Sequence, residues 1–154
     1  MNLGPWQIGF AGFGEILPEF NNKVFLSKTE KDPWGIPSIV LSAQVNENEL
    51  KMRNDMEQDS KEMLEKIGAK NILVLPSKYI FGSCIHEMGT ARMGRDPKTS
   101  VLNSFNQVWD AKNVFVTDGA CMTSSSCVNP SLTYMALTAR ACHYAVEELK
   151  KGNL

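Results

Sequence analysis

The sequence predicts an α+β fold whose first half is mostly antiparallel sheet with a long helix on one face. Three observations predict it. Two short β-branched and aliphatic segments, 23–28 and 38–45, flank a turn rich in Pro and Gly. After Asn46 the apolar residues recur every three or four positions. A second long apolar segment follows Pro130, behind two short strand-like stretches.

Taken in order, residues 1–22 are rich in Gly, Pro and aromatics and read as irregular. Gly9, Gly12 and Gly14 give G-x-x-G-x-G, the reverse of a dinucleotide loop, with no strand–turn–helix around it. Lys23-Val-Phe-Leu-Ser-Lys28 is a strand, Lys31-Asp-Pro-Trp-Gly-Ile-Pro37 a turn, and Ser38 to Val45 a second strand. Asn46 stands three residues before Glu49, the spacing of a capping box. The helix it opens should run to about Ile67 and stop at Gly68. Leu50, Met52, Met56, Met63, Leu64 and Ile67 mark its buried stripe, more plausible as core packing than as an adaptable binding face.

Asn71 to Leu75 reads as a third strand, ended by Pro76, and Tyr79 to Ile85 as another. Residues 95–100 form a turn. Val108-Trp-Asp110 and Val114 to Thr117 are short strands, and 121–128 is a loop. Pro130 suits the first position of a helix running from about Ser131 to Lys150, with Gly152 behind it. That helix is apolar around most of its first four turns and should be buried on more than one side.

Composition excludes several classes. A chain of 154 residues, 43% hydrophobic and 21% charged, builds a core without a metal or disulfide staple. A net charge of −1 with scattered cations gives no nucleic-acid footprint. No apolar run is long enough for a membrane span, and the start shows no secretory signal. The default compartment is therefore the cytoplasm, or the periplasm if an upstream part is missing. Cys84, Cys121, Cys127 and Cys142 form no Cys-x-x-Cys pair and have no His at ligand spacing. They read as four buried thiols in a reducing compartment, with no metal site; nothing supports a Cys121–Cys127 bridge.

The residues that could carry chemistry each have an ordinary explanation as well. His86 stands ahead of the Gly89-Thr90 turn and is either structural or a base for an alcohol proton, a task suited to a pKa near neutrality. Asn129 is either a helix N-cap or a hydrogen-bond partner for a substrate oxygen. Asp118-Gly119-Ala120 ends a strand with small residues, as a turn or as a place where a ligand nears the backbone. The helix start at Pro130 and Ser131 offers free N–H groups and partial positive charge. Gly89 to Gly94 lacks the Lys-Ser/Thr of a P-loop, the Ser124–Ser126 run lacks a nucleophile elbow, and His143 has no partner at ligand spacing.

The order of these signals is more specific than any one. His86-Glu-Met-Gly-Thr-Ala-Arg-Met-Gly94, then Asp96-Pro, Asn113-Val-Phe-Val-Thr-Asp-Gly119 and Asn129-Pro-Ser-Leu-Thr-Tyr-Met-Ala-Leu137 resemble the C-terminal region of the glucose–methanol–choline (GMC) oxidoreductases, FAD-dependent enzymes acting on alcohols and sugars. Gly14-Glu-Ile-Leu-Pro18, Asp32-Pro-Trp-Gly-Ile-Pro37 and Asn48-Glu-Leu-Lys-Met52 are similar to the bacterial sugar and gluconate dehydrogenase branch. The resemblance implies that His86 is the catalytic base and Asn129 the second catalytic position, orienting the alkoxide. It implies cofactor contacts at Asp118, Gly119, Ala120, Asn129, Pro130 and Ser131. It also implies that residues 1–85 are a substrate-domain portion and 86–154 the catalytic His segment with the last strands and final helix of an incomplete FAD-binding domain.

The family's N-terminal G-x-G-x-x-G loop is absent from these residues. The implied partners are an alcohol, sugar or sugar-acid substrate and an N-terminal FAD-binding half, in cis or in trans. The isolated chain is expected to hold FAD weakly, to be inactive alone, and to expose apolar surface or oligomerise. The alternative is a non-catalytic fragment or partner-binding subunit.

Overall fold

The computed structural model describes residues 4–75, 81–82 and 85–154. They divide into two units, Met1–Gly14 with Val45–Tyr79, and Glu15–Gln44 with Ile80–Leu154.

The first unit is built on helix α1 (Glu47–Lys66). The capping box forms: the Asn46 N–H donates to Glu49 Oε2 at 3.0 Å, and Glu49 is buried. At the other end Gly68 adopts φ +79, which only glycine adopts cheaply. Gly68 N–H donates to Glu65 O at 2.9 Å and Ala69 N–H to Leu64 O at 3.0 Å, the paired bonds of a Schellman stop. The glycines that do not make a nucleotide loop have a packing use. A Cβ on Gly12 would lie 2.9 Å from Met56 Sδ, and one on Gly14 2.6 Å from Met52 Cε. Their bareness lets the chain lie flat on the methionine stripe of α1, which supports packing as the stripe's role. The stripe is covered only in part, for Met63 and Ile67 stay exposed.

The third strand expected at 71–75 does not form. Asn71 takes a left-handed φ of 56, no strand pairs with 72–75 among the described residues, and Leu73 and Leu75 are exposed. A β-branched run without a ladder partner has no hydrogen bonds to hold it extended. The strand expected at 79–85 lies largely outside the described residues, as does Cys84.

The second unit begins with an antiparallel pair, β1 (Lys23–Lys31) and β2 (Pro37–Ser42), in register from Lys23↔Ser42 to Leu26↔Ile39. The connecting turn is tied by Asp32, whose Oδ1 accepts from Trp34 N and Ile36 N, both at 2.9 Å. Asn22 clamps the open end, donating to Gln44 O at 3.0 Å and accepting from Gln44 N at 2.9 Å. The sheet is a two-stranded hairpin, and β2 stops at Ser42 rather than Val45.

A second antiparallel pair follows, β3 (Gln107–Val108) and β4 (Ala111–Phe115), slightly earlier than the sequence places its strands. Leu102 lies at its centre, bridging Met93 on one side and Val108 on the other. Leu102, Asn106, Cys121 and Ala141 are the best-buried residues of this unit. The chain leaves β4 through a short 3-10 turn, Gly119–Cys121, and enters helix α2 (Ser131–Lys150).

Helix α2 corrects one expectation. It buries a single stripe, with Tyr134 half-buried, Ala141 buried, and Tyr144 stacked on Phe105 at 4.2 Å and edge-on to Phe115. Leu132, Met135, Val146 and Leu149, on another face, are exposed in this chain. The cysteines are corrected too: Cys121 is buried, but Cys127 and Cys142 are exposed, and all three are free thiols.

Candidate active site

Three motif segments meet in the second unit. The first, 86–94, runs beside the 3-10 turn as a short ladder. Gly89 N–H donates to Gly119 O at 3.4 Å, Ala91 N–H to Ala120 O at 2.9 Å, and Met93 N–H to Cys121 O at 3.0 Å. Gly89 has φ +89, so the bend that starts this ladder requires glycine. Helix α2 supplies the third segment. Tyr134 Oη donates to Met88 Sδ at 3.5 Å, and Arg140 Nη2 reaches Met93 Sδ at 3.6 Å and Asn106 Oδ1 at 3.3 Å.

His86 is half-buried and lies just before this ladder. Ile85, its neighbour, holds a left-handed φ of 67 while 88% exposed. A β-branched residue held there costs on the order of 1–3 kcal/mol, strain of a kind that gathers at functional sites.

Asp118 caps the 3-10 turn, its Oδ1 accepting from Ala120 N at 2.9 Å. Gly119 is bare because protein already occupies the space beside it. A Cβ there would meet Glu87 O at 2.8 Å, Tyr134 Oη at 2.9 Å and Met88 Sδ at 3.0 Å. Ala120 is half-buried.

Asn129 is exposed and is not the helix cap; the cap position falls to buried Pro130, and no side chain caps α2. Pro130 thus stands one residue before the helical position expected of it. The ordinary explanation of Asn129 is therefore weaker than the sequence suggests. The first turn of α2 has no acidic residue, and Ser131, Leu132 and Thr133 are exposed. An uncapped twenty-residue helix with open first-turn N–H groups suits the negative N1–C2=O edge of a reduced flavin. These residues could hold such a group.

An open cleft of about 450 Å³ is lined by Phe20, Thr90, Arg92, Lys98, Ser100 and Val101 among others. It contains neither His86 nor Asn129. No cluster of three or more His, Cys, Asp or Glu residues arranged for a metal occurs among the described residues. No described helix is long and apolar enough to cross a membrane.

Sequence reading misses Tyr134, Met88, Asn106 and Arg140 as parts of this assembly. Each acts across 34 to 47 positions of chain, and nothing in local spacing reports that. The bare Gly119 was the available signal, and a ligand and a tyrosine explain it equally well from sequence.

The GMC oxidoreductase C-terminal family model matches residues 18–138, which hold the first two segments and the first turns of α2. The chain belongs to the GMC oxidoreductase family. Among its curated relatives is a 2-methyl-1,2-propanediol dehydrogenase of Mycolicibacterium austroafricanum, 36% identical over 86% of this chain and 24% of that protein. The fructose dehydrogenase large subunit of Gluconobacter japonicus is 34% identical over 90% of this chain and 25% of its own length. A gluconate 2-dehydrogenase flavoprotein of Pantoea cypripedii is 29% identical over 76% of this chain and 20% of its length. These place the chain in the bacterial sugar dehydrogenase branch of the GMC family, as a C-terminal region. It spans about a quarter of the length of the first two relatives.

Proposed function

We propose that this chain supplies the proton-handling side of an FAD-dependent oxidoreductase acting on a CH–OH group of a sugar, sugar acid or polyol. The observation that carries the reading is the ladder that joins the His86 segment to the Gly119–Cys121 turn, with Tyr134 of α2 packed against both. FAD, when bound, supplies the hydride acceptor. His86 takes the hydroxyl proton, and Asn129 donates a hydrogen bond to the alkoxide oxygen. Asn129 has no proton to share and therefore only orients and stabilises. The backbone of Asp118, Gly119 and Ala120 and the helix start at Asn129, Pro130 and Ser131 face the cofactor. The first-turn N–H groups of α2 stabilise negative charge that develops there, without a charged side chain.

A family member completes its FAD site with a G-x-G-x-x-G strand–helix unit, which these residues lack. In our reading the 154 residues hold FAD weakly alone and act once that half is present, in the same polypeptide or a separate one. The exposed Leu132, Met135, Val146 and Leu149 stripe favours the same view, since such a face packs on further polypeptide. It also supports the second reading, a partner-binding piece without its own chemistry.

Acceptor-dye reduction separates the two. The chain joined to or mixed with an FAD-binding half is assayed on a panel of polyols, sugars and sugar acids. Our reading expects substrate-dependent reduction that His86→Ala lowers by ~10²–10⁴. Full turnover by His86→Ala would leave only the packing role. FAD added to the chain alone should give no tight stoichiometric yellow complex.

A further inference from the structure

We infer that Tyr134 is a positioning residue: with Gly119 it fixes where His86 stands relative to the first turn of α2. The inference rests on the reading of His86 as the base.

The three contacts at Gly119 carry it. The missing Cβ of Gly119 would lie within 3.0 Å of atoms from the His86 segment, Glu87 O and Met88 Sδ, and within 2.9 Å of Tyr134 Oη from α2. Three separate parts of the chain thus close on one point without room for a methyl group. Tyr134 is tied to the start of α2, its N–H donating to Pro130 O at 3.0 Å. Its hydroxyl ends on Met88, two residues after His86. Behind Gly119, the ladder at Ala91 and Met93 prevents the segment from sliding along the turn. In this inference a shift of the tyrosine tip displaces Met88 and, through the two intervening backbone links, the residue that carries the imidazole.

The chain has two histidines, His86 and His143, and both lie in this unit. His143 is exposed further along α2, with no part in the contact. Imidazole carbon–proton NMR spectra of the 154-residue chain therefore hold a probe and its control. Tyr134→Phe should move the His86 cross-peak by more than its linewidth and leave His143 in place. Gly119→Ala, which pushes on the same point from the other side, should move His86 as well. Should Gly119→Ala fail to fold, Tyr134→Phe decides alone. An unmoved His86 signal, or equal displacement of both signals, overturns the inference. In the flavin-loaded enzyme Tyr134→Phe should lower kcat about tenfold to a hundredfold with KM and melting temperature kept. If His86→Ala retains turnover while the NMR response is seen, the assignment of the base fails and the positioning contact stands.

Discussion

The β1–β2 hairpin and the stretch from Arg92 to Cys121 are both short antiparallel constructions in the same unit, and they differ in what lies between their strands. In the hairpin Leu26, Ile39 and Leu41 are 61%, 70% and 71% exposed, so no interior forms. In the second stretch Leu102, Asn106, Gln107 and Cys121 are all buried. The difference comes from polar side chains used as cross-braces. Asn103 Oδ1 accepts from Phe105 N and Gln107 N, Gln107 Nε2 donates to Lys112 O at 2.7 Å, and Trp109 Nε1 donates to Ser100 Oγ at 3.0 Å. Asn106 Nδ2 donates to Val116 O at 2.9 Å. A β pair this short has too little ladder to hold itself, and buried carboxamides replace the missing strands. The Gly119–Cys121 turn and the His86 segment are thereby attached to the part of the unit with its own interior. The hairpin offers apolar surface to whatever packs on it.

That contrast can be broken by substitution. Leu102→Ala removes a fully buried side chain at the centre of the braced stretch and should cost about 2–5 kcal/mol by denaturant titration. Asn106→Ala removes a fully buried carboxamide, leaves part-buried Val116 O without its donor, and should cost about 1–3 kcal/mol. Its backbone φ of +64 also favours Asn over Ala, so Asn106→Asp, which keeps that preference but loses the donor, separates the two causes. Gly68→Ala forces a methyl group into the left-handed region at the end of α1 and should cost about 1–2 kcal/mol in the first unit. Leu41→Ala in the hairpin should change stability by no more than about 0.5 kcal/mol. A Leu41 effect as large as that of Leu102 would erase the distinction between the two constructions.

The thiols sharpen the same comparison through pH. Burial pushes the Cys121 thiol up from its ordinary 9.0, against the lowering effect of the Asn106 hydrogen bond. Above pH 9 the unfolded chain therefore loses this proton before the folded one does. Stability from this group is level below pH 9 and falls as pH rises toward the raised value. Alkylation followed by peptide mapping at mildly alkaline pH should label exposed Cys127 and Cys142 and spare Cys121 until denaturant is added. Equal labelling of all three would show that the braced interior opens.

Local rules in the sequence carried the elements that finish themselves locally. Asn46 with Glu49 and then Gly68 bound α1 within a residue of where it begins and ends, because caps act over three or four positions. The Asp32–Gly35 turn likewise placed β1 beside β2. Segment 71–75 failed because a short apolar, partly β-branched run forms a strand only when a neighbour offers its backbone. For α2, an apolar composition on several faces says what the helix could bury, while this chain provides cover for one stripe. The motif order from His86 to Arg140 made the family resemblance readable before any coordinates. The role of Tyr134 against Gly119 was not readable, since the two meet only after folding.

Flavin bleaching on rapid mixing of the flavin-loaded enzyme with its alcohol tests the account at its centre, because it isolates the step in which His86 is held to act. The account predicts that His86→Ala slows that single phase by ~10²–10⁴ while the flavin stays bound. Bleaching at the unaltered rate in His86→Ala would contradict it.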